Sequence, residues 1–279
     1  MIVELAKLIL YAILIVIIAK YILVKILRNL AEIIGLSPKT VGNIAGIATS
    51  VPELLTVCFS ASSGLLQASV FNIISSNIIN FVQYIASIFF SKNQKVLKNK
   101  GIQICLLLVM ATIVIPIVIE IFSIPMNLYI VPIFLIVFII FYRINVKMHY
   151  QYLQKDDKKL EEKIIKEEVQ VRKRGWTVTK YSIYLLITSV TLYIVGNELS
   201  VVLNNLGMVF SIPESILGIL LGFITSIPEL MTFFEAQKHY QQEEKELGVI
   251  EASNNLFISN LLNLFIIQSV GIVIYSIFS

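Results

Sequence analysis

Two glutamates occupy the same sequence context in widely separated parts of the chain. Glu53 ends the segment Gly42–Glu53, GNIAGIATSVPE, and Glu229 ends the segment Gly218–Glu229, GILLGFITSIPE, with six of the twelve positions identical. On a helix, the hydroxyl side chains three and four residues before each glutamate share its face, and these are Thr49, Ser50, Thr225 and Ser226. The proline before each glutamate lacks an N–H and frees a carbonyl one turn earlier. Each copy therefore offers oxygen ligands, which hard cations such as Ca²⁺ and Na⁺ prefer.

A stripe of polar side chains follows each glutamate segment. Polar residues recur at steps of four in both copies, as Asn72, Ser76 and Asn80 and as Asn255, Ser259 and Asn263. Such stripes often hold membrane helices together, and taken alone they favour that structural role. A carboxylate in the hydrocarbon is costly and usually marks an ion path, and no Lys or Arg repeats alongside the glutamates. We therefore expect Glu53 and Glu229 to be cation ligands, and four such helices facing one another would enclose a polar centre that contains both carboxylates.

The elements that must position these residues are membrane helices. The chain of 279 residues is 57% hydrophobic and 14% charged, whereas a soluble domain has about 25% charged residues. This composition excludes a soluble enzyme and a disordered chain. Cys58 and Cys105 lie in apolar segments, so neither a disulfide framework nor a cysteine–metal site is expected. Hydropathy predicts an all-α polytopic membrane protein with about eight spans. The predicted spans are Leu5–Leu30, Val41–Ser62, Leu65–Phe90, Ile102–Phe122, Leu128–Phe141, Val178–Leu203, Ile216–Phe234 and Ala252–Phe278.

The distribution of Lys and Arg predicts how the chain is oriented. The connections after spans one, three, five and seven are basic, whereas Ser63–Gly64, Ser123–Asn127 and Asn204–Ser215 contain no Lys or Arg. Because basic loops stay on the cytoplasmic side, we expect the N- and C-termini to lie outside. The expected location is the cell membrane of a prokaryote, as an integral, multi-pass protein.

The two glutamate segments form an inverted repeat. The first copy follows one span and the second follows six, so the copies cross the membrane in opposite directions, as in alternating-access carriers. We predict a first half of five spans over residues 1–146, a charged cytoplasmic loop over 147–176, and a second half of three spans over 177–279. Opposite charges three and four apart within 151–174 favour a solvated helix over a regulatory ion sensor.

Two inverted copies of Thr-Ser-x-Pro-Glu, each followed by a Ser-Asn helix, resemble the α-repeats of the sodium/calcium exchanger family within the cation/calcium antiporter superfamily. The resemblance implies an exchanger-type bundle with a central metal site where Na⁺ and Ca²⁺ compete. The ten residues that it implies as ligands are Glu53, Glu229, Thr49, Ser50, Thr225, Ser226, Ser76, Asn80, Ser259 and Asn263. It also implies that spans one and six slide against the other helices. The chain departs from the family pattern in two ways. Both Asn80 and Asn263 are amides where the family commonly has one acidic residue. With eight predicted spans, we also expect the last two of the family's usual ten helices to be missing.

The expected function is secondary active antiport of Ca²⁺, or a related divalent cation, for Na⁺ by alternating access. No P-loop motif is present, so we expect no ATP-driven transport, no enzymatic activity and no cofactor. Proton-coupled exchange stays open, because a carboxylate removed from water can take up a proton. A non-transporting membrane protein for cation binding or assembly also stays open, given the short second half. The expected partners are the lipid bilayer, Na⁺ and Ca²⁺ and no nucleic acid, with a homo-oligomer as an open alternative.

Overall fold

The computed structural model describes residues 2–18, 21–22, 25–26, 38–152, 174–239 and 245–278, and helices are the only long elements in these ranges. The α-helices are α1 (Ile2–Ile18), α2 (Pro38–Thr49), α3 (Val51–Ser62), α4 (Leu66–Phe90), α5 (Lys100–Ile121), α6 (Ile130–Tyr152), α7 (Arg174–Asn204), α8 (Glu214–Thr225), α9 (Ile227–His239), α10 (Lys245–Leu262) and α11 (Gln268–Phe278). A 3₁₀ turn, Gln94–Lys98, precedes α5, and π turns follow α7 at Asn205–Val209 and α10 at Asn263–Ile267. The predicted all-α fold is confirmed.

Seven segments of the described chain are long and apolar enough to cross a membrane, and they correspond to predicted spans two to eight. Helix α1 begins the predicted first span, most of whose remainder lies outside the described residues. The charged segment 151–174 also lies almost wholly outside them.

Two helices extend beyond the predicted spans. Helix α6 continues to Tyr152, past the predicted end at Phe141, and α10 begins at Lys245, before the predicted start at Ala252. Helical hydrogen bonding can continue beyond the apolar window, since long basic side chains extend their charges towards water. Glu251 lies inside α10 and is only 2% exposed.

The apolar side chains form two clusters. The larger joins α4, α5 and α6 with α9, α10 and α11, around residues such as Tyr84, Phe257 and Phe265. The smaller joins α1 and α7 to α8, through Leu8, Leu199 and Leu221 among others. Helices α1 and α7 therefore form a separate layer that packs against the rest of the bundle through apolar side chains.

The two repeats interlock through their short helices. Helix α2 of the first repeat lies along α10 of the second, and α8 of the second lies along α4 of the first. Glycines allow backbone-to-backbone approach: a Cβ on Gly46 would lie 2.7 Å from the Asn255 carbonyl oxygen, and one on Gly222 would lie 2.6 Å from that of Asn72. Since Asn72 and Asn255 are equivalent positions, the same contact occurs twice. Each Thr-Ser-x-Pro-Glu segment is thereby placed beside the polar helix of the other repeat.

Candidate cation site

Each Thr-Ser-x-Pro-Glu segment contains a break between two short helices. Ser50 separates α2 from α3 with φ −81° and ψ 0°, and Ser226 separates α8 from α9 with φ −79° and ψ −1°. Pro52 and Pro228 follow two residues later and have no N–H to donate, which interrupts the helical hydrogen bonding. The interruption predicted from the prolines is therefore present in both copies with the same backbone geometry.

Both carboxylates lie in the first turn after the break. Glu53 is in the first turn of α3, Glu229 is in the first turn of α9, and both are 0% exposed. A helix N-terminus carries partial positive charge, which stabilises an ionised carboxylate there. The C-terminal ends of α2 and α8 lie at the same two breaks. The backbone carbonyl oxygens at such helix ends can coordinate cations. Each break thus combines an anionic side chain with backbone oxygens.

Hydroxyl groups from both repeats surround the carboxylates. Ser259 donates to Glu229 Oε1 at 3.0 Å, and Ser50 donates to Ser259 Oγ at 3.0 Å. The polar neighbours of the two carboxylates are Thr49 and Ser259 for Glu229, and Thr225 and Ser76 for Glu53. Each carboxylate therefore faces one hydroxyl from its own repeat and one from the opposite repeat.

Two amides join the same centre. Asn80 Nδ2 donates to Ser259 Oγ at 3.4 Å and to Asn260 Oδ1 at 3.3 Å, and Asn263 Nδ2 donates to Asn77 Oδ1 at 3.2 Å. A π turn begins at Asn263, whereas α4 continues as a regular helix through the equivalent Asn80. Because π turns are frequent at functional sites, the second repeat has the more specialised backbone here.

Five side-chain oxygens of this cluster are buried without a hydrogen-bond donor in the part of the chain that the structure describes. They are Oε1 and Oε2 of Glu53, Oε2 of Glu229, and Oδ1 of Asn80 and Asn263. Buried polar atoms are nearly always satisfied, so such a group of exceptions calls for a missing partner. Lys7–Glu4 is the one ion pair between described residues, and these residues include no group of three or more His, Cys, Asp or Glu that could hold a metal. A site here would therefore rely on two carboxylates and neutral oxygens.

The ten residues predicted from the sequence are all enclosed, since none is more than 2% exposed. Nine of them take part in the contacts described above. The exception is Ser226, whose hydroxyl donates to the Gly222 carbonyl oxygen at 2.8 Å. Ser50 makes the equivalent bond to Gly46 O, also at 2.8 Å, but reaches Ser259 as well. Glu198, an acidic residue within the predicted sixth span, is exposed on α7.

Two threonine–asparagine pairs hold the backbone at the two glutamates. They are not among the ligands predicted from the sequence. Asn72 donates to Thr56 Oγ1 and Asn255 donates to Thr232 Oγ1, each at 2.6 Å. Each threonine in turn donates to the backbone carbonyl of its own glutamate, at 3.0 and 2.9 Å. The available signal was the repeat itself, because all four residues recur at matching positions.

A reciprocal pair holds the crossing point of α4 and α10. Asn77 Nδ2 donates to the Asn260 carbonyl oxygen at 3.2 Å, and Asn260 Nδ2 donates to the Asn77 carbonyl oxygen at 3.1 Å. These residues also match in the repeat, but helical periodicity places a residue on a face without identifying its partner. The pair fixes the separation of the two polar helices, and therefore the size of the site between them.

Comparisons with known proteins agree with this arrangement. A family model described as "Sodium/calcium exchanger protein" matches residues 5–147 and 180–279. Among solved structures, the chain is similar to the sodium-calcium exchanger NCX_Mj soaked with 10 mM Na⁺ and zero Ca²⁺, with 22% identity, a TM-score of 0.53, and coverage of 98% of this chain and 84% of that chain. The same exchanger soaked with 2.5 mM Na⁺ and 0.1 mM Ca²⁺ is 23% identical, with a TM-score of 0.52 and coverage of 98% and 83%.

No sequence among the curated proteins matches the chain. The structural likeness shows that this protein has the fold of that exchanger. The residues matched by the family model make up well over half of the sequence, on both sides of the charged segment. The chain therefore belongs to the sodium/calcium exchanger protein family.

Proposed function

We propose that this protein is a secondary active antiporter that exchanges Ca²⁺, or a related divalent cation, for Na⁺ by alternating access. The observation that carries the proposal is the Glu53 carboxylate. It is fully buried, and neither of its oxygens has a hydrogen-bond donor among the described residues. A buried charge is costly unless it is paired. A transported cation supplies the partner, and Glu229 of the opposite repeat supplies the second negative charge.

The proposed ligands suit hard cations. They are the carboxylates of Glu53 and Glu229, the hydroxyls of Thr49, Ser50, Thr225, Ser226, Ser76 and Ser259, and the amides of Asn80 and Asn263. Ca²⁺ takes about 6–8 oxygen ligands from such groups. Two carboxylates balance one Ca²⁺ or two Na⁺, so the two ions compete for the same charge. Exchange follows if the site can change its access from one face of the membrane to the other only when Ca²⁺ or Na⁺ is bound.

Alternating access requires that the site opens to each face in turn. In this conformation it is closed to both, because none of the proposed ligands is more than 2% exposed. The α1–α7 layer packs on the bundle through apolar side chains such as Leu8 and Leu199. Because apolar packing is non-directional, these contacts do not fix the position of the layer as hydrogen bonds would. We infer that movement of α1 and α7 exposes the site first to one face and then to the other.

The proposal is tested by flux into proteoliposomes. A Na⁺ gradient should drive ⁴⁵Ca²⁺ uptake by the wild-type protein. Glu53→Gln and Glu229→Gln should each lower uptake by at least about a hundredfold, since removing one partner of a buried charge pair costs about 3–5 kcal/mol. Glu235→Gln is the matched control, because Glu235 lies on α9 with Glu229 but is exposed. Normal uptake by either site variant would refute the assignment of the ligands.

The same assay separates the alternatives. Proton coupling is the second candidate, since a carboxylate with no described donor, such as Glu53, could hold a proton in place of a cation. Uptake that follows a pH gradient with Na⁺ absent would replace Na⁺ by H⁺ in the proposal. Ca²⁺ binding without gradient-driven flux would indicate a protein that binds cations but does not transport them.

We also propose that the basic connections face the cytoplasm of a prokaryotic cell and that both termini lie outside. Lys95 lies exposed in the connection between α4 and α5, and Asn127 is exposed between α5 and α6. In intact cells, a membrane-impermeant maleimide should label Asn127→Cys, whereas Lys95→Cys should be labelled only after permeabilisation. The reverse pattern would invert the proposed orientation.

A further inference from the structure

The amides of Asn80 and Asn263 can serve as cation ligands only if their oxygens face the site. An asparagine side chain has a donor end, Nδ2, and an acceptor end, Oδ1, of nearly the same shape. Only Oδ1 can bind a cation, whereas an Nδ2 group turned towards the site would repel it. Both Oδ1 atoms are buried without a donor among the described residues. A contact at the other end of each amide must therefore hold it in this orientation.

The orientation originates where α4 and α10 cross. Asn77 Nδ2 donates to the Asn260 carbonyl oxygen at 3.2 Å, and Asn260 Nδ2 donates to the Asn77 carbonyl oxygen at 3.1 Å. A backbone carbonyl can only accept. Neither side chain can therefore turn its amide over without losing its bond and placing two oxygens against each other. The reciprocal pair thus fixes where Oδ1 of Asn77 and Oδ1 of Asn260 lie.

Each of these fixed oxygens meets one of the proposed ligands. Asn77 Oδ1 accepts from Asn263 Nδ2 at 3.2 Å, and Asn260 Oδ1 accepts from Asn80 Nδ2 at 3.3 Å. Because an oxygen requires a donor, the Nδ2 ends of the two ligands face the crossing and their Oδ1 ends stay free for a cation. All four side chains are 0% exposed, so bulk water does not compete for these bonds.

The two ligands differ in how firmly they are held. Asn80 Nδ2 has a second acceptor, Ser259 Oγ at 3.4 Å, because the Ser259 hydroxyl gives its proton to Glu229. For Asn263 Nδ2, the described residues supply one acceptor, which is Asn77 Oδ1. Asn263 therefore depends more on its orienting partner than Asn80 does.

We propose that the reciprocal pair of Asn77 and Asn260 is a positioning device, which turns the amide oxygens of the two ligands towards the bound cation. The inference rests on the proposed cation site and concerns how two of its neutral ligands, Asn80 and Asn263, are oriented. The positioning residues do not touch the cation themselves. Loss of one of them leaves its partner amide free to rotate, so that a donor group replaces an oxygen ligand in part of the molecules.

Binding of ⁴⁵Ca²⁺ to the purified full-length chain tests the proposal without requiring transport. Asn77→Leu keeps the branched shape of the side chain but removes the acceptor for Asn263. It should weaken Ca²⁺ binding by about ten- to a hundredfold, the usual effect of losing a partner that orients a metal ligand. Asn77→Ala removes the same acceptor with less bulk and should behave alike. Asn260→Leu should weaken binding less, since Ser259 still holds Asn80.

A carboxylate in place of the ligand should restore binding, because both of its ends are oxygens and it needs no orienting partner. Adding Asn263→Asp to Asn77→Leu should therefore recover at least about tenfold of the lost Ca²⁺ affinity. Adding Asn80→Asp instead introduces the same charge at the equivalent position of the other repeat. It should not restore binding, because the new carboxylate faces Oδ1 of Asn260 and the amide of Asn263 is still free to rotate.

Asn145→Leu is the matched control for stability. Asn145 is buried on α6 and donates to Asn254 Oδ1 at 3.3 Å, and neither residue is a proposed ligand. This variant should lower the unfolding temperature as Asn77→Leu does but leave Ca²⁺ affinity near wild type.

Three results would overturn the positioning role. One is wild-type Ca²⁺ affinity in folded Asn77→Leu and Asn77→Ala. Another is equal rescue by Asn263→Asp and Asn80→Asp, which would reflect charge alone, and the third is rescue by neither, which would mark a structural role. Absence of Ca²⁺ binding by the wild-type chain would instead refute the proposed cation site itself, and the orientation of its ligands with it.

Discussion

Replacing Gly222 by alanine tests how closely α8 must approach α4 for the site to bind a cation. Gly222 lies one turn before Ser226 on α8, and Ser76 Oγ donates to its carbonyl oxygen at 3.3 Å. A Cβ at this position would lie 2.6 Å from the carbonyl oxygen of Asn72 and 3.0 Å from the amide nitrogen of Ser76. Both atoms belong to the backbone of α4 and cannot move by a rotamer change.

The size of the effect follows from these distances. An ordinary contact to a Cβ begins at 3.4 Å, so the two helices must separate by about 0.8 Å at this point. Overpacking of this kind typically costs about 1–3 kcal/mol of stability. Metal–ligand distances vary by only about ±0.2 Å. The shift moves Thr225 away from Ser76 by more than this, so the two hydroxyls can no longer bind the same cation. We expect Gly222→Ala to lower Ca²⁺ affinity by at least about tenfold, as loss of a supporting contact does.

The measurement combines ⁴⁵Ca²⁺ binding with thermal unfolding in detergent. Gly46→Ala should behave alike, because its Cβ would lie 2.7 Å from the Asn255 carbonyl oxygen in the equivalent contact. Gly207→Ala is the control: its Cβ would meet Leu65 Cδ2 at 2.9 Å, and the end of a leucine side chain can rotate away. Wild-type Ca²⁺ affinity in Gly222→Ala, or an equal loss in Gly207→Ala, would refute the claim that this close approach sets the site.

Two further predictions concern buried hydrogen bonds around the site. Thr56→Val and Thr232→Val each leave an asparagine amide without the acceptor that it reaches at 2.6 Å, so each should lower the free energy of unfolding by about 1–3 kcal/mol. Denaturant unfolding should show similar losses for the two variants. A much larger loss in one of them would contradict the equivalence of the repeats. Tyr84→Phe removes a hydroxyl 2.6 Å from Ser253 Oγ but keeps the ring contact with Phe233. It should therefore lower the free energy of unfolding by about 0.5–1.5 kcal/mol and leave ⁴⁵Ca²⁺ uptake near the wild-type rate. Loss of uptake would instead place Tyr84 on the ion path.

The two repeats are nearly identical in backbone geometry at the centre, but their residues differ farther out. The helix breaks at Ser50 and Ser226 differ by only 2° in φ and 1° in ψ. One turn beyond the carboxylates, Val57 corresponds to Phe233, and two turns beyond, Ser60 corresponds to Ala236. In the proposed function the shared centre binds the cation, and the divergent ends would let the protein treat the two faces of the membrane differently.

The helices and the residues of the candidate site are both predicted from the amino-acid sequence. Lipid cannot hydrogen-bond to the backbone, so long apolar stretches must be helical, and hydropathy located spans two to eight. Spacing on a helix determines which side chains share a face, so the positions of Thr49, Ser50 and Glu53 along the chain are enough to group them. The matching segment then gave the equivalent set around Glu229, and the polarity of those residues indicated a hard cation.

Only the tertiary structure decided which residues of different helices meet. Periodicity gives the direction of a side chain but not its partner, so the bond from Ser50 to Ser259 and the reciprocal pair of Asn77 and Asn260 depend on how α2, α4 and α10 cross. Gln268 shows the difference most clearly. In the sequence it is one polar residue in an apolar segment, and a buried glutamine is ordinarily satisfied. Only the structure shows that this side chain is 1% exposed and that neither end of its amide has a hydrogen-bond partner among the described residues.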